Sequence, residues 1–406
     1  MWSVLRTRDF ALVWCAGLLA LSADWFLFVG LPLFVYDQTG STLATGAVFV
    51  ARFGPYVLLG SVAGMLVDRW DRRRTLFFVN LLLAAAAVPL LIGARLEALG
   101  LVYAAAAAMA ALQQFVVPAE DALIPRLVGE QSLVPANALN ALNNNLARLG
   151  GPPLGAALYA VWGLEGVAIT LCFSLLLGAL LLSRVTAEAR PLRTEPLPDS
   201  GSPWTRAWAD WLAGLRLVTI ERRAAVLIGF AAITGLGEGV ISALFVFFVR
   251  DLLDAGGFAY GALLAVQAIG GLLGGLIVGR FFRGVAPVIL WGVGALGLAA
   301  IDTALFLYPS FLDGVAPAAF LLVAAGVPVA ALIVGVTTVR QLTVPDAFRG
   351  RLTGSYRSAG ALAAALGAIG AGLLGERVPL VPLLMIQVAG YALGGLAVFW
   401  FLVRRR

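Results

Sequence analysis

Four of the charged residues that lie inside long apolar stretches of the sequence are considered first for their chemistry. Asp24 and Glu238 each lie near the middle of such a stretch, and Arg52 and Asp302 lie within two others. A charge at the centre of a bilayer costs roughly 2.5–3.5 kcal/mol on insertion scales, so a charged side chain at that depth is a candidate functional group. A carboxyl group in this setting can take up and release a proton, or it can form an ion pair with arginine.

The residue types that are missing exclude several kinds of chemistry. The 406-residue chain has no histidine, and all 28 of its basic residues are arginine, so lysine is missing too. These absences exclude a Walker A loop, a zinc-binding HExxH helix, a Ser-His-Asp triad and a lysine Schiff base. The two cysteines, Cys15 and Cys172, lie in apolar runs and are interpreted as small core residues. We therefore predict no enzyme activity, no metal site and no cofactor.

The composition is typical of a protein that crosses a membrane many times. Hydrophobic residues make up 61% of the chain and charged residues 12%, whereas a soluble domain carries roughly 25% charged residues. A transmembrane helix needs about 20 consecutive apolar residues. The sequence predicts an all-α membrane protein with twelve spans, at residues 10–36, 43–67, 75–95, 99–117, 138–162, 166–183, 224–249, 259–279, 287–308, 315–339, 352–375 and 380–403.

The distribution of arginine predicts the orientation in the membrane. With the N-terminus in the cytoplasm, 22 arginines fall on the cytoplasmic side, three lie within or at the ends of spans, and three fall outside, namely Arg95, Arg250 and Arg377. We therefore expect a multi-pass protein of the cell inner (plasma) membrane with both termini in the cytoplasm. The net charge of +6 then reflects contact with anionic membrane lipids and no nucleic acid.

A polar linker near the midpoint divides the spans into two sets of six. The linker, residues 184–223, is rich in proline, arginine and glutamate. We predict an N-terminal six-helix bundle at residues 1–183 and a C-terminal six-helix bundle at residues 224–406. Within the linker, Ser202 and Pro203 are typical of a helix start. The following tryptophans share one face and predict an amphipathic helix in the cytoplasmic interface, which is either a strap between the halves or a lipid sensor.

The two halves are related to each other in sequence. Asp24 precedes Asp37 by thirteen residues, and Glu238 precedes Asp251 by the same interval. Further along, residues 60–72 align with residues 271–283, and the alignment matches two glycines, two arginines and one aromatic residue: Gly60, Gly64, Arg69, Arg72 and Trp70 with Gly271, Gly275, Arg280, Arg283 and Phe281. Parallel six-span repeats place a substrate site near the midplane between the halves.

Residues 64–74 resemble the signature loop between spans 2 and 3 of the major facilitator superfamily. Within that superfamily the chain is similar to the branch of macrolide and enterobactin-type siderophore exporters, at residues 52–55, 118–125, 136–139 and 344–351. The resemblance implies two pseudo-symmetric bundles, a monomer, and secondary transport of a small molecule by alternating access. Span 4 has Gln113 and Gln114 and lacks the arginine found there in many proton-coupled exporters.

The resemblance also predicts a conformational latch at the cytoplasmic end of the spans. By family analogy, the Asp68 carboxylate lies against the N-terminus of span 11, where the helix dipole favours a negative charge. Glu120 and Asp121 are expected to pair with the arginines at residues 72–74, and contact with the substrate is the alternative. The predicted latch residues are Gly64, Asp68, Arg69, Arg72, Arg73, Glu120 and Asp121.

A second group of residues is predicted to handle protons or to line the central cavity. Arg52 can reach Asp24 from the adjacent antiparallel span, and the pair either locks one conformation or acts directly on the substrate or the proton. Glu238 is the repeat mate of Asp24, and no arginine lies within span 8, so it is the candidate proton site. The full group comprises Asp24, Arg52, Glu238, Gln113, Asn144, Arg148, Gln267 and Arg357.

Three features of the spans have structural interpretations. Glu238 has an alternative role as a carboxylic acid bonded to the backbone at a kink within residues 235–239. The polar stripe of span 5 either faces the substrate or holds neighbouring backbone: Asn137, Asn140, Asn144 and Arg148. Two rows of small residues are expected to let helices approach closely: Gly271, Gly275 and Gly279 in one, Gly367 and Ala371 in the other.

These observations support a transporter driven by protons that exports amphipathic small molecules such as drugs, macrolides or siderophores. Its predicted partners are that small-molecule substrate, protons and membrane lipids. A lipid or lysolipid mover and an uptake carrier are alternatives with the same fold. A non-transporting sensor or a membrane enzyme is disfavoured by the missing catalytic residue types. Asp302 is interpreted as structural, because span 9 is peripheral in this fold.

Overall fold

The computed structural model describes residues 2–186, 221–343 and 346–403. Within these ranges the chain is helical, with short connecting turns and no β-strand. This is the all-α architecture predicted from the sequence. It follows from the solvent, because hydrocarbon offers no hydrogen-bond partner and a helix satisfies its own backbone. The predicted amphipathic helix after Ser202 lies outside the described residues, and so does the side chain of Asp68.

Thirteen α-helices make up the described chain. They are α1 Arg8–Thr39, α2 Thr42–Arg69, α3 Arg72–Arg95, α4 Leu99–Gln113, α5 Val116–Val128, α6 Leu133–Ser183, α7 Arg222–Phe247, α8 Gly257–Phe281, α9 Pro287–Leu307, α10 Ala316–Ala324, α11 Gly326–Thr343, α12 Asp346–Gly375 and α13 Leu380–Val398. A π-helical turn continues α7 over Phe248–Leu252, and another continues α13 over Phe399–Val403. Asp71 caps α3, because its Oδ1 accepts a hydrogen bond of 2.9 Å from the backbone amide of Arg74.

The described chain contains eleven helical segments that are long and apolar enough to cross a membrane. The twelve spans expected from the sequence differ from this number at α6, which includes both predicted spans 138–162 and 166–183. α6 has 51 residues, and its helical geometry is broken at Gly163, where φ is 62° and ψ is −163°. A straight helix of that length would reach roughly 75 Å, far beyond the roughly 30 Å thickness of the hydrocarbon core.

The described residues fall into two compact units. One unit comprises residues 2–34 and 58–186, and the other comprises residues 35–57 and 221–403. The end of α1 and the first half of α2 therefore belong with the second half of the chain. The division into a bundle at 1–183, a linker at 184–223 and a bundle at 224–406 stays a prediction.

The helices of the second unit pack most closely around the middle of α7. A Cβ added at Gly237 would lie 2.6 Å from Gln387 Cα on α13, and one added at Gly235 would lie 2.5 Å from the Gly360 carbonyl oxygen on α12. α7 stays helical through these residues, so the glycines provide close approach and do not form the kink considered above. Their effect is to bring α12 and α13 against α7 on either side of Glu238.

One predicted glycine row packs differently from the expectation. A Cβ added at any of its members would meet no atom of the described chain within 4 Å: Gly271, Gly275 and Gly279. The close contacts are instead made one residue earlier, where Gly270 and Gly274 meet Gly326 at the junction of α10 and α11. The second row is confirmed at Gly367, which lies against the Leu236 carbonyl oxygen of α7.

We predict that Gly237→Ala lowers the free energy of unfolding by about 1–3 kcal/mol, because the new methyl group overlaps the α13 backbone and the helices must separate. The measurement is the fraction of protein that stays monodisperse in detergent after heating. Gly271→Ala is the matched control, since its methyl group enters open space and alanine favours the helix. Equal melting of the two variants would contradict the proposed packing.

Candidate functional site

Glu238 is held by a tyrosine from a neighbouring helix. The Tyr391 hydroxyl of α13 donates a hydrogen bond of 2.5 Å to Glu238 Oε1 on α7. Tyr391 is buried, with 6% of its surface exposed, whereas Glu238 lies on an exposed part of α7. The carboxyl group therefore reaches the surface of α7 while one of its oxygens is held by the helix behind it. The alternative partner considered from the sequence was the backbone.

A second carboxyl group is bound to the same helix. Gln387 Nε2 donates a hydrogen bond of 2.8 Å to Asp302 Oδ2 on α9. Gln387 and Tyr391 are four residues apart on α13 and therefore share a face. Both residues of the Gln387–Asp302 hydrogen bond are buried, with 4% of Asp302 and 7% of Gln387 exposed. We call Glu238, Tyr391, Gln387 and Asp302 the α13 network.

Sequence reasoning missed both residues of α13 that form this network. The available signal was a pair of polar side chains, Gln387 and Tyr391, at helical spacing in an otherwise apolar segment. The sequence analysis interpreted Asp302 as structural because span 9 is peripheral in this fold, and the structure shows that one face of α13 binds the carboxyl groups of both Asp302 and Glu238. The Asp302 and Glu238 carboxyl groups act on each other electrostatically.

Tyr356 lies between the α13 network and an arginine. The guanidinium of Arg340 on α11 lies over the Tyr356 ring of α12, with its Cζ 5.3 Å from the ring centroid. The charges of Arg340 and Glu238 both act on the Tyr356 hydroxyl. Arg357, a predicted cavity residue, is exposed on α12 and acts on Arg340. One face of the Tyr356 ring therefore packs against a positive charge.

A cluster of polar side chains ties the end of α1 to the end of α7. The Tyr36 hydroxyl donates a hydrogen bond to Asp251 Oδ1, and Arg250 forms an ion pair with Asp37. Arg250 also lies over the Tyr36 ring, with its Cζ 5.4 Å from the centroid. The arrangement is reciprocal, because Asp37 and Asp251 are the repeat-matched aspartates and each bonds to the residue that precedes the other. We call these four residues the Tyr36 cluster.

The beginning of α2 is tied to the end of α12 beside this cluster. The Ser41 hydroxyl donates a hydrogen bond of 2.8 Å to Glu376 Oε1. The Thr42 hydroxyl donates one of 3.0 Å to the Gly372 carbonyl oxygen. A Cβ added at Gly46 would lie 2.6 Å from the backbone oxygen of Ala368. Two helices from each half of the sequence therefore meet at this end of the second unit.

In the first unit, Glu120 lies against α1. Its Oε1 lies 3.1 Å from the position of a Cβ added at Gly17. Arg73 donates a hydrogen bond of 2.9 Å to the Ser183 carbonyl oxygen at the end of α6. Within the described part of the chain Glu120 has no ion pair, and Asp121 is exposed. The pairing of Glu120 and Asp121 with the arginines at residues 72–74 stays a prediction.

The other predicted latch residues lie around the start of α3. Arg72 is buried, with 8% of its surface exposed, and Arg69 is exposed. A Cβ added at Gly64 would meet no described atom within 4 Å. Trp70 stacks on Phe115, with ring centroids 5.8 Å apart. The contact of Asp68 with span 11 stays a prediction.

The polar stripe of α6 has a buried neighbour that sequence reasoning missed. Asn144 is exposed and bonds to its own helix, at the Asn140 carbonyl oxygen. Asn143 is buried, and its Nδ2 donates a hydrogen bond of 2.9 Å to the Trp14 carbonyl oxygen of α1. Trp14 in turn donates its indole hydrogen to the Leu139 carbonyl oxygen. Asn143 therefore binds the backbone of the neighbouring helix α1. The role of Asn144, which belongs to the predicted stripe, stays a prediction.

The remaining predicted cavity residues are partly buried. Asp24 belongs to the first unit and Arg52 to the second, and their ion pair stays a prediction. The Arg52 charge acts on the buried hydroxyl of Tyr260 on α8. The side chains of three other predicted cavity residues are half-buried: Gln113, Arg148 and Gln267. Among the residues that the structure describes, no cluster of acidic and cysteine side chains could hold a metal ion.

The chain matches a known protein family in sequence and a solved structure in fold. A sequence model of the family described as transmembrane secretion effector matches residues 1–406. The enterobactin exporter EntS of Escherichia coli O1:K1 / APEC is 25% identical over 409 residues, which cover 99% of this chain and 93% of that protein. Macrolide efflux protein A of Streptococcus pyogenes is 28% identical over 184 residues, which cover 45% of this chain and 44% of that protein. The crystal structure of the nucleoside transporter NupG matches 97% of this chain and 100% of its own, with a TM-score of 0.77 and 11% identity, and shows the fold alone.

We predict that Asp37 and Arg250 are energetically coupled. In a double-mutant cycle of Asp37→Asn and Arg250→Gln, the coupling free energy of unfolding should reach up to about 1 kcal/mol, as is usual for a partly exposed ion pair. The measurement is thermal unfolding in detergent. The matched control is the cycle of Arg95→Gln and Glu165→Gln, whose pair is more exposed and should couple less. Additive effects of Asp37→Asn and Arg250→Gln would contradict the pair.

Proposed function

The chain belongs to the transmembrane secretion effector family of the major facilitator superfamily, and from this premise we propose that it exports amphipathic or lipophilic small molecules in exchange for protons. Membership makes the protein a membrane transporter of a small molecule. The direction of transport, the substrate class and the proton are our proposal. Drugs, macrolides and siderophores are the proposed substrates, since proteins similar to this chain are named as exporters of enterobactin and of macrolides.

The proposed topology has twelve membrane crossings. α6 would cross twice and turn at Gly163, since its length is more than double what the hydrocarbon core requires. The arginine distribution supports an inner-membrane protein with both termini in the cytoplasm. In this orientation the Tyr36 cluster lies at the outer end of the molecule, and the arginines at the start of α3 lie at the cytoplasmic end.

The observation that carries the proton assignment is the Tyr391–Glu238 hydrogen bond on an exposed part of α7. An ionised Glu238 accepts this bond strongly, and a protonated Glu238 accepts it weakly, because charge-assisted hydrogen bonds are the stronger ones. Proton binding therefore changes the attraction between α7 and α13, which are already in backbone contact at Gly237. Each proton that crosses a potential of 100 mV supplies about 2.3 kcal/mol.

Alternating access requires contacts at each end that can be made and broken. We assign the outer contact to the Tyr36 cluster with Ser41 and Glu376, and the inner one to the predicted latch at residues 64–73 with Glu120 and Asp121. Partly exposed polar contacts suit this role, because each contributes only about 0–1 kcal/mol and can be replaced by water. The proposed lining of the central cavity is Asp24, Arg52, Gln113, Asn144, Arg148, Gln267 and Arg357.

We predict that Glu238→Gln abolishes transport driven by a pH gradient and leaves folding intact, since glutamine accepts the Tyr391 hydrogen bond but cannot exchange a proton. The measurement is efflux of erythromycin and of ethidium from proteoliposomes with an imposed pH gradient. The matched control is Glu165→Gln, a partly exposed carboxyl group of the first unit that pairs with Arg95, which should transport at the rate of the parent protein. Full pH-driven transport by Glu238→Gln would remove Glu238 from the mechanism.

The topology is tested by cysteine labelling. In a Cys15→Ala/Cys172→Ala background, an impermeant maleimide should label Gln38→Cys on intact cells, because residue 38 lies in the last turn of α1, at its proposed outer end. Arg74→Cys should be labelled only after permeabilisation, because α3 begins on the cytoplasmic side. Both wild-type residues are exposed, so access depends on the side of the membrane. Labelling of both positions from one side would overturn the topology.

A further inference from the structure

Asp302 is a buried carboxyl group among apolar helices. It lies five residues before the end of α9, with 4% of its surface exposed. No arginine occurs in the sequences of α9, α10 and α13. α11 contains Arg340, which lies near the C-terminal end of that helix. In the described part of the chain Asp302 has no ion pair. Burying an ionised carboxylate without a cation is costly, so such a group favours its neutral form.

The amide that binds Asp302 has one unused acceptor. Gln387 Nε2 donates to Asp302 Oδ2, while the buried Gln387 Oε1 has no hydrogen-bond partner among the described residues. A buried acceptor left unsatisfied costs about 1–3 kcal/mol. A neutral carboxylic acid has a hydroxyl that can donate, and an acid and a primary amide form two hydrogen bonds in opposite directions. A proton on Asp302 Oδ1 would therefore satisfy Gln387 Oε1.

The described titratable groups around Asp302 come from several helices. Glu238 of α7 acts on Asp302 electrostatically. Tyr391 of α13 interacts with both carboxyl groups, and Tyr356 of α12 acts on the same hydroxyl. Arg340 of α11 lies over the Tyr356 ring. Negative charges on two carboxyl groups disfavour each other, and a charge costs most on the more deeply buried group, which is Asp302.

The two carboxyl groups differ in how deeply they are buried. Glu238 lies on an exposed part of α7, and Asp302 is enclosed. We propose that Asp302 is a proton-binding residue that stays a neutral carboxylic acid, paired with the Gln387 amide, and leaves Glu238 as the carboxyl that exchanges protons. The inference rests on the proposed function for the role of Glu238. It implies that the α13 network exchanges one proton in each transport cycle, although it contains two carboxyl groups.

The test is infrared spectroscopy of the full-length protein in lipid at neutral pH. We expect the C=O stretching band of a buried carboxylic acid in the parent protein and its loss in Asp302→Asn. Gln387→Leu should keep the band but move it to higher frequency, because the hydrogen bond to the C=O group is lost. Absence of the band in the parent protein, its persistence in Asp302→Asn, or an unchanged frequency in Gln387→Leu would each overturn the proposal.

Stability and transport give a second readout. Asp302→Asn preserves both hydrogen bonds, because its amide donates to Gln387 Oε1 and accepts from Gln387 Nε2, so its melting temperature should match that of the parent protein. Asp302→Leu, of similar size, strands both ends of the Gln387 amide and should melt earlier. An Asp302→Asn variant that melts as early as Asp302→Leu would overturn the proposal. Transport by Glu238→Gln with the Asp302 band intact would instead reject the proposed function and keep the Asp302 assignment.

Discussion

The constraint on which this structure depends is that hydrocarbon provides no hydrogen-bond partners. Helices solve the problem for the backbone, and a polar side chain within a span finds its partner either on its own helix or on a neighbouring one. The α13 network is the result in the second unit. Tyr391 and Gln387 lie one turn apart and bind two carboxyl groups from different helices. The glycines of α7 make this possible, because they bring the α13 backbone to the level of Glu238.

Much of the architecture was predictable because the free-energy costs of crossing a bilayer and of placing a charge in it depend on one segment or one residue at a time. The length of the apolar stretches follows from the bilayer thickness, and the position of Glu238 in the middle of a stretch is visible without neighbours. The aspartates of the Tyr36 cluster could also be matched through the repeat. A turn was expected between the predicted spans 138–162 and 166–183, and the structure has a break in helical geometry there, at Gly163 inside α6.

The partners were not predictable because they depend on how each helix is rotated about its axis. The glycine pattern of α8 has two rows offset by one residue, and only packing at the α10–α11 junction selects Gly270 and Gly274. Asp302 was interpreted as structural because span 9 is peripheral in this fold, but its partner could not be predicted, because the side of α9 that meets α13 cannot be read from an apolar sequence. The sequence likewise gives no sign that Arg73 binds the carbonyl oxygen of Ser183 at the end of α6.

The reciprocal Tyr36 cluster has a consequence for the response to ionic strength. One of its two bonds joins unlike charges, and the other joins a neutral phenol to a carboxylate. At physiological salt the Debye length is about 8 Å, and ions weaken the first kind of bond far more than the second. Two positions that match in the repeat have thus acquired contacts of different electrostatic character. At high salt the hydrogen bond between Tyr36 and Asp251 would stay nearly unchanged, while the ion pair between Arg250 and Asp37 would weaken.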